Sequence, residues 1–512
     1  MGRTSLRLLI VAILLVAVIS ALVDRPLLAQ QPGGELVVAA DVWPTSFDPA
    51  LSFGEQDNHY LHQIYDTLII LKPDMTLQPG LATAWEFVNP NTLVLKLRRG
   101  VRFHDGERFD ADAVKFNLDR MINLPNSVRK LDVQRIKSVE VVDSSTVRIN
   151  LTAPDGGLTL RLTDRTGMMA SPTAVRKLGD GFANQPVGTG PFKFQSMQVT
   201  SFARFVRNYS YWGSGLPYLD SILFRVIATE PVMTQGLETG ELDFLYVVPL
   251  ADVARIRRNP NLVYYGSPGS GTFMLNFNVR NAPFNNRLVR QALNYAIDKK
   301  AIVDSVLFGE AVPAVSPFAP SRGYAFDPNQ KGYPFDPARA RQLLAQAGYP
   351  NGFEMGLNFI NRTTDARLAE AIQGFWGDIG VRLALRPKEI GAYLNEIQKN
   401  PRADPSFRAW QVGSIDPDYD LARGFASAEA GGFWHGTGYA DPATDAMIRQ
   451  IRATRTENER RALYAQITKK IVDEALGVYL YHPNFRIAHK SSVHGFVPMP
   501  DWSLRLKGVW KN

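Results

Sequence analysis

The stretch Pro231-Val-Met-Thr-Gln-Gly-Leu-Glu-Thr-Gly-Glu-Leu-Asp-Phe-Leu-Tyr246 decides the fold class of this chain. Pro231 to Thr239 reads as a helix closed by Gly240, and Leu242 to Tyr246 as the strand that follows it, so the stretch is an α/β unit. The alternation continues on both sides. Upstream, Gly34 to Ala40 is a short apolar strand that runs into the proline-bounded loop Trp43 to Pro49. Asn58 to Leu71 has helical spacing at Leu61, Ile64, Tyr65 and Leu68. Thr92 to Leu97 and Val101 to Phe103 read as strands, with a turn at Asp105-Gly106. Asp110 is placed to cap a helix from Ala111 to Met121, and Thr146 to Leu151 alternates as a half-buried strand. Gly188-Thr-Gly-Pro-Phe-Lys-Phe194 breaks the pattern. It lacks the Gly-Lys-Ser/Thr of a phosphate-binding loop, so a hinge or chain crossing is expected there.

Downstream, Thr272 to Asn278 is a strand, and Asn286 to Leu307 reads as one long amphipathic helix ended by Gly309. Asp336 caps a helix that has Pro337 in its first turn and stops at Gly348. Thr364 to Ile379 and Ala392 to Gln398 are helical, and Val381 to Leu385 and Phe407 to Val412 are strands. Pro442 to Arg455 and Glu457 to Asp473 are two further helices, the second with Thr456 and Glu459 spaced as a capping box. Helices on sheets, hence an α/β protein, is the economical architecture.

A chain of 512 residues exceeds one hydrophobic core, so two or three lobes are expected. Apolar content of 45% and charged content of 21% are ordinary for a globular protein. Arg3, Arg7 and the apolar run Leu8 to Val23 read as a secretory signal peptide, with cleavage placed after Ala29; an uncleaved anchor is the alternative. No later segment approaches the length of a membrane span, so no membrane insertion of the mature chain is expected. There is no cysteine, which excludes disulfides, thiolate metal sites, cysteine nucleophiles and a lipidated N-terminal cysteine. An exported, unlipidated protein of this kind fits the periplasm. The net charge of +8 is spread along the chain without a basic stripe, so no nucleic-acid partner is expected.

The segment Trp410-Gln-Val-Gly-Ser-Ile-Asp-Pro-Asp-Tyr-Asp420 gathers aromatics and three carboxylates where a strand becomes a loop. Asp416, Asp418 and Asp420 raise the possibility of a glycosidase-type acid pair, but a local run of this kind more often caps a turn or helix. No Gly-x-Ser-x-Gly elbow and no His-Glu-x-x-His pattern is present. His59 and His62 lie three apart on an expected helix and have a helix surface or a satisfied core pair as their plain reading. No catalytic residue, metal ligand or cofactor is assigned.

In shared order along nearly the whole mature chain, several fragments resemble the family 5 extracellular solute-binding proteins. This is the peptide/nickel class of ABC-importer receptors, which includes dipeptide- and oligopeptide-binding proteins. The fragments are Phe47-Asp-Pro49, Ile64-Tyr-Asp-Thr-Leu68, Gln78-Pro-Gly-Leu-Ala82, Leu97-Arg-Arg-Gly-Val-Arg-Phe-His-Asp-Gly106 and Ala111-Asp-Ala-Val-Lys-Phe116. They continue with Gly188-Thr-Gly-Pro-Phe192, Gly240-Glu-Leu-Asp243, Val289-Arg-Gln-Ala-Leu-Asn-Tyr-Ala-Ile-Asp298, Ala347-Gly-Tyr-Pro350 and Asp416-Pro-Asp418. The resemblance implies a two-lobed periplasmic binding protein fold of type II, of the large class with an additional inserted subdomain, and a hinge between the lobes. The implied order is signal peptide 1–29, lobe I at 30–68, inserted subdomain 69–184, lobe I again at 185–270, lobe II at 271–481, and lobe I at 482–512.

The implied function is capture of a small organic solute by lobe closure and delivery to an ABC permease with its cytoplasmic ATPase subunits, by a monomeric receptor without enzymatic activity. A peptide or peptide-like compound is the first expectation; nickel or a metallophore, an opine and an oligosaccharide are alternatives, and a secreted hydrolase is the rival class. Dipeptide-binding relatives hold the peptide amino group with an Asp at the position of Gly413, and its absence here weakens a free dipeptide as ligand. Arg362 falls approximately where those relatives grip a carboxylate, with an ordinary surface arginine as the alternative. Trp43, Trp410, Asp416, Asp418, Tyr419, Phe433, Trp434 and His435 complete the expected ligand-binding set, each with core or interlobe packing or capping as its plain alternative.

Overall fold

The computed structural model describes residues 33–227, 229–389, 392–393, 395–396, 405–410, 416–427 and 437–512. Twelve strands join into one long sheet that serves both lobes. In lobe I, Glu35–Ala40 lies parallel to Ser221–Val226 on one side and to Phe244–Leu245 on the other. Phe202–Arg207 and Phe192–Gln198 extend that edge antiparallel. In lobe II, Glu354–Ile360 runs parallel to Arg382–Lys388 and to Ser406–Trp410, and Ser406–Trp410 pairs antiparallel with Thr272–Asn276.

The two halves meet on the 14-residue strand Gly477–Lys490. Its first part pairs with Thr272–Asn276 and Ala311–Pro313 of lobe II. Its second part pairs with Leu262–Pro268 and Phe244–Leu245 of lobe I. Its sequence, GVYLYHPNFRIAHK, is buried along nearly its whole length, as a strand covered on both faces requires. The chain crosses between lobes a second time at residues 269–271, beside the first crossing, where Gly269 N–H donates to the Pro483 carbonyl at 2.9 Å.

The inserted subdomain is a four-stranded antiparallel sheet, Ala82–Asn89, Thr92–Leu97, Thr146–Leu151 and Ile136–Asp143 in spatial order. The helix Ala111–Asn123 covers it and buries Val114, Leu118 and Met121. Asp110 caps that helix by accepting from Ala113 N–H at 3.1 Å, and Asp336 caps Pro337–Gln346 by accepting from Arg339 N–H at 2.8 Å, both as their spacing predicts.

Three local expectations are corrected. Asn286 to Leu307 is two helices, Arg287–Tyr295 and Lys299–Val306, because Asp298 turns outward and caps the second by accepting from Ala301 N–H at 2.9 Å. The helix expected to reach Leu71 is Asp57–Ile64, and the chain then enters the strand Ile69–Leu71. Thr456 does not cap its helix through the backbone; its hydroxyl instead donates to the Glu459 carboxylate.

Gly188 and Gly190 form a crossing. A Cβ at Gly190 would stand 2.5 Å from the Ile64 carbonyl carbon, and one at Gly188 would overlap the Ile64 carbonyl oxygen. Gly190 N–H donates to that same oxygen at 2.8 Å, so the two segments cannot separate to make room. Gly188→Ala is expected to destabilise the protein by about 1–3 kcal/mol, read as a drop in denaturation midpoint at unchanged m value.

Candidate functional site

At the level of the two chain crossings lies a cavity of about 270 Å3 between the lobes. One aromatic pair walls it on each side. Phe273 and Tyr481 stack with ring centres 5.0 Å apart on the lobe II side, and Phe485 and Trp502 stack at 5.2 Å on the lobe I side. Neither pair was legible as such, because its members lie in different parts of the sequence and meet only once Gly477–Lys490 is in place. Glu310 closes the hinge end. Its carboxylate pairs with Arg257 at 2.9 Å and accepts from the Tyr264 hydroxyl at 2.7 Å, so lobe II is bound to lobe I there.

Arg362 lines this cavity together with Thr364. It occupies the N-cap of the helix Thr363–Gly377 in extended backbone, without a side-chain cap. Among the described residues, its guanidinium makes no hydrogen bond or salt bridge. The first turn of this helix carries free N–H groups and the positive end of the helix dipole, and Arg362 adds a full charge beside them. This end of the cavity is therefore suited to a carboxylate.

The carboxylates of the Trp410 to Asp420 segment do something else. Asp416 is fully buried and caps the helix Pro417–Phe425 by accepting from Asp418 N–H at 3.0 Å. It also forms an ion pair with Arg161 of the inserted subdomain at 2.5 Å. Burial and the neighbouring Asp418 push its pKa up to about 6, against the pull of Arg161. Asp418 is fully buried too, and accepts from Arg460 at 2.6 Å and from the Tyr464 hydroxyl at 2.5 Å. Both carboxylates thus make their contacts inside the protein, and Asp418 Oδ2 is buried with no hydrogen-bond partner among the described residues. Asp420 pairs with Arg322 at 3.0 Å. Tyr419 lines a small gap with Arg161, Arg423 and Arg452 at the junction of lobe II with the inserted subdomain, away from Arg362.

Trp43 is half-buried and meets Phe47 edge to face at 5.9 Å, against the lobe I core. The backbone of Trp410 pairs with Thr272, which puts it at the end of its strand next to the hinge. Gly413, Phe433, Trp434 and His435 lie outside the described residues. His59 is buried against Tyr246 and Trp502, and burial lowers its pKa to about 3, the state of a neutral core imidazole. Among the described residues no group of three or more metal-ligating side chains occurs.

Sequence reasoning missed Glu55. It faces Arg165 of the inserted subdomain and Arg322 of lobe II, yet burial raises its pKa from 4.5 to about 7 against both arginines. A carboxyl with a raised folded-state pKa keeps its proton in the folded protein after the unfolded chain has lost it. Stability from this group therefore falls as pH rises from about 4.5 through 7. Glu55→Gln is expected to be more stable than the parent at pH 8, by on the order of 1–3 kcal/mol, and to match it near pH 4.5. Thermal melts of the two proteins across that range check this.

Comparison with known proteins places these features in a family. Residues 76–432 match the model of the bacterial extracellular solute-binding proteins, family 5. The glutathione-binding protein GsiB of Pectobacterium atrosepticum is 31% identical over 492 residues, covering 94% of this chain and 95% of that protein. Among solved structures, the ABC transporter-associated periplasmic binding protein DppA from Helicobacter pylori, in complex with peptide STSA, superposes with a TM-score of 0.82 at 28% identity, over 94% of this chain and 98% of that one. NikA from Brucella suis, in complex with Fe(III)-EDTA, superposes with a TM-score of 0.84 at 25% identity, over 94% of this chain and 100% of that one. The two-lobed type II fold, the interlobe cavity and the match over most of the chain agree: this chain belongs to the family 5 bacterial extracellular solute-binding proteins.

Proposed function

We propose that this protein is the periplasmic receptor of an ABC importer and that its solute is a short peptide-like compound with a free carboxylate, of the glutathione class. The observation that carries the reading is Arg362, whose guanidinium makes no hydrogen bond or salt bridge among the described residues and has the Asp365 carboxyl nearby, at the edge of a cavity walled by an aromatic pair from each lobe. A guanidinium beside a helix N-terminus grips a carboxylate bidentately, and aromatic faces cover the apolar parts of a flexible ligand. The volume of about 270 Å3 suits a ligand of a few residues rather than a long chain. The name of the relative GsiB supports glutathione, and the peptide bound to DppA supports the wider class.

The rest of the reading follows from the family. The mature protein works as a monomer, residues 1–29 direct export, and the permease recognises the closed form. The lobe boundaries at residues 68, 184, 270 and 481 belong to this proposal; the sheet's crossings at residues 269–271 and within Gly477–Lys490 support the last two. NikA with Fe(III)-EDTA supports a polycarboxylate chelate as second reading, since the same arginine would serve it.

Calorimetry and thermal melts with reduced glutathione, di- and tripeptides, a nickel chelate, an opine and an oligosaccharide distinguish these solutes. Glutathione is expected to raise the melting temperature by mass action. Arg362→Met is expected to weaken glutathione binding by roughly 10–150-fold, the equivalent of a charge-assisted pair of about 1.5–3 kcal/mol, with the ligand-free melt unchanged. Stabilisation by the oligosaccharide alone, or equal glutathione affinity in the variant, would refute the reading.

A further inference from the structure

Far from the hinge, the inserted subdomain touches lobe II through the loop that leads into the short helix Leu158–Arg161. Gly156 N–H donates to the Arg452 carbonyl at 2.9 Å. Arg161 pairs with Asp416 at 2.5 Å, both side chains being out of solvent, and Arg455 lies over the Phe87 ring at 5.4 Å. The lobe II face is held in shape by Arg460, which donates to the Thr454 carbonyl at 3.2 Å and to Asp418.

The two glycines of this contact are the informative residues. Gly157 has φ −88°, which any residue adopts, so its backbone does not require glycine. What requires it is space, which the Asp416 carboxylate of the other lobe and the Arg161 guanidinium of its own subdomain take up together. A Cβ at Gly157 would lie 2.6 Å from the Asp416 carboxylate, and also 2.8 Å from Arg161 Nη1 of its own subdomain. A Cβ at Gly156 would overlap the Thr454 carbonyl oxygen and approach Arg460 to 2.5 Å. With the lobes apart, these lobe II atoms are gone: the three nearest atoms at Gly156 all belong to lobe II, whereas at Gly157 the Arg161 guanidinium of its own lobe stays within reach.

The charged pair is built to separate. Arg161 has its own partners in the inserted subdomain, the Asp155 carboxylate and, at 3.0 Å from Nε, the Asp132 carbonyl. Asp416 keeps its helix cap. Opening the lobes hands each remaining group to water without leaving a buried orphan.

We infer that Gly156, Gly157 and Arg161, closing on Asp416 and Thr454, form an interlobe latch that exists only in the closed state and sets solute affinity without touching solute. They are positioning residues. The inference rests on the receptor reading, and it adds a prediction about residues remote from the cavity. A receptor whose closed state is less populated binds more weakly in proportion.

The chain has no cysteine, so Thr83→Cys and Asn458→Cys, both at exposed positions, can carry a spin-label pair spanning the contact. The labelled parent is compared with its Gly156→Ala and Asp416→Asn derivatives, with and without glutathione. The parent is expected to show a short-distance population that glutathione enlarges. Gly156→Ala is expected to lose that population and bind glutathione at least tenfold more weakly, with an unchanged ligand-free melt. Asp416→Asn, which can still cap its helix, is expected to bind more weakly while retaining part of the population. A short-distance population and affinity untouched by Gly156→Ala overturn the latch, and so does a Gly156→Ala protein whose ligand-free melt falls with its affinity. If glutathione binds neither protein, the solute reading fails on its own. The ligand-free distances then still decide the latch: a shared short population, or none in the parent, overturns it.

Discussion

The strand Gly477–Lys490 is the constraint on which the molecule depends. Its backbone hydrogen bonds are divided between two lobes, so neither sheet is complete without it. A strand shared in this way holds the lobes at one edge and leaves the opposite edges free to part. The cavity lies where the strand changes partners: between Tyr481 and Asn484 one side passes from Thr272–Asn276 to Leu262–Pro268, while the other side stays paired with Ala311–Pro313, and side chains from both lobes line the gap. The binding site is thus a consequence of how the sheet is divided.

Ionic contacts mark both ends of the interlobe seam. At the hinge, Glu310 is held by Arg257 and Tyr264; at the rim, Asp416 is held by Arg161. Removing such groups from water offsets much of what their attraction provides, so these pairs fix how the lobes register more than how strongly they adhere. That division suits a receptor. If the lobes adhered strongly alone, the closed form would persist empty; if they met without register, Arg362 and the two aromatic pairs would not converge on one solute.

Local chemistry was legible in the sequence where it acts over a few residues. Asp110, Asp336 and Asp416 stand before helices and cap them, and the glycines of Gly188 to Phe194 announce a crossing that the Ile64 carbonyl confirms. Where two local signals compete, periodicity misled: the apolar spacing from Asn286 to Leu307 runs through Asp298, whose capping bond divides it. Contacts between distant segments left no trace. Arg161 and Asp416 are 255 positions apart, and nothing in either segment names the other. Asp416-Pro-Asp418 consequently reads as part of a solute site, and its contacts with a helix terminus, with Arg460 and Tyr464 and with the opposite lobe are not legible in the segment itself. Arg362 came from resemblance, and the structure adds the cavity beside it.

The position of Gly477–Lys490 near the end of the chain also orders events in time. Glu35–Ala40 is among the first strands to be synthesised, yet the lobe it belongs to waits for a partner more than four hundred residues later. Contacts of such long sequence separation form slowly, because the intervening chain must first be brought together. The inserted subdomain, whose sheet closes within residues 82–151, can form while the rest is still emerging. Lobe I cannot. The growing polypeptide therefore lacks the one strand that joins its two lobes until synthesis is nearly over.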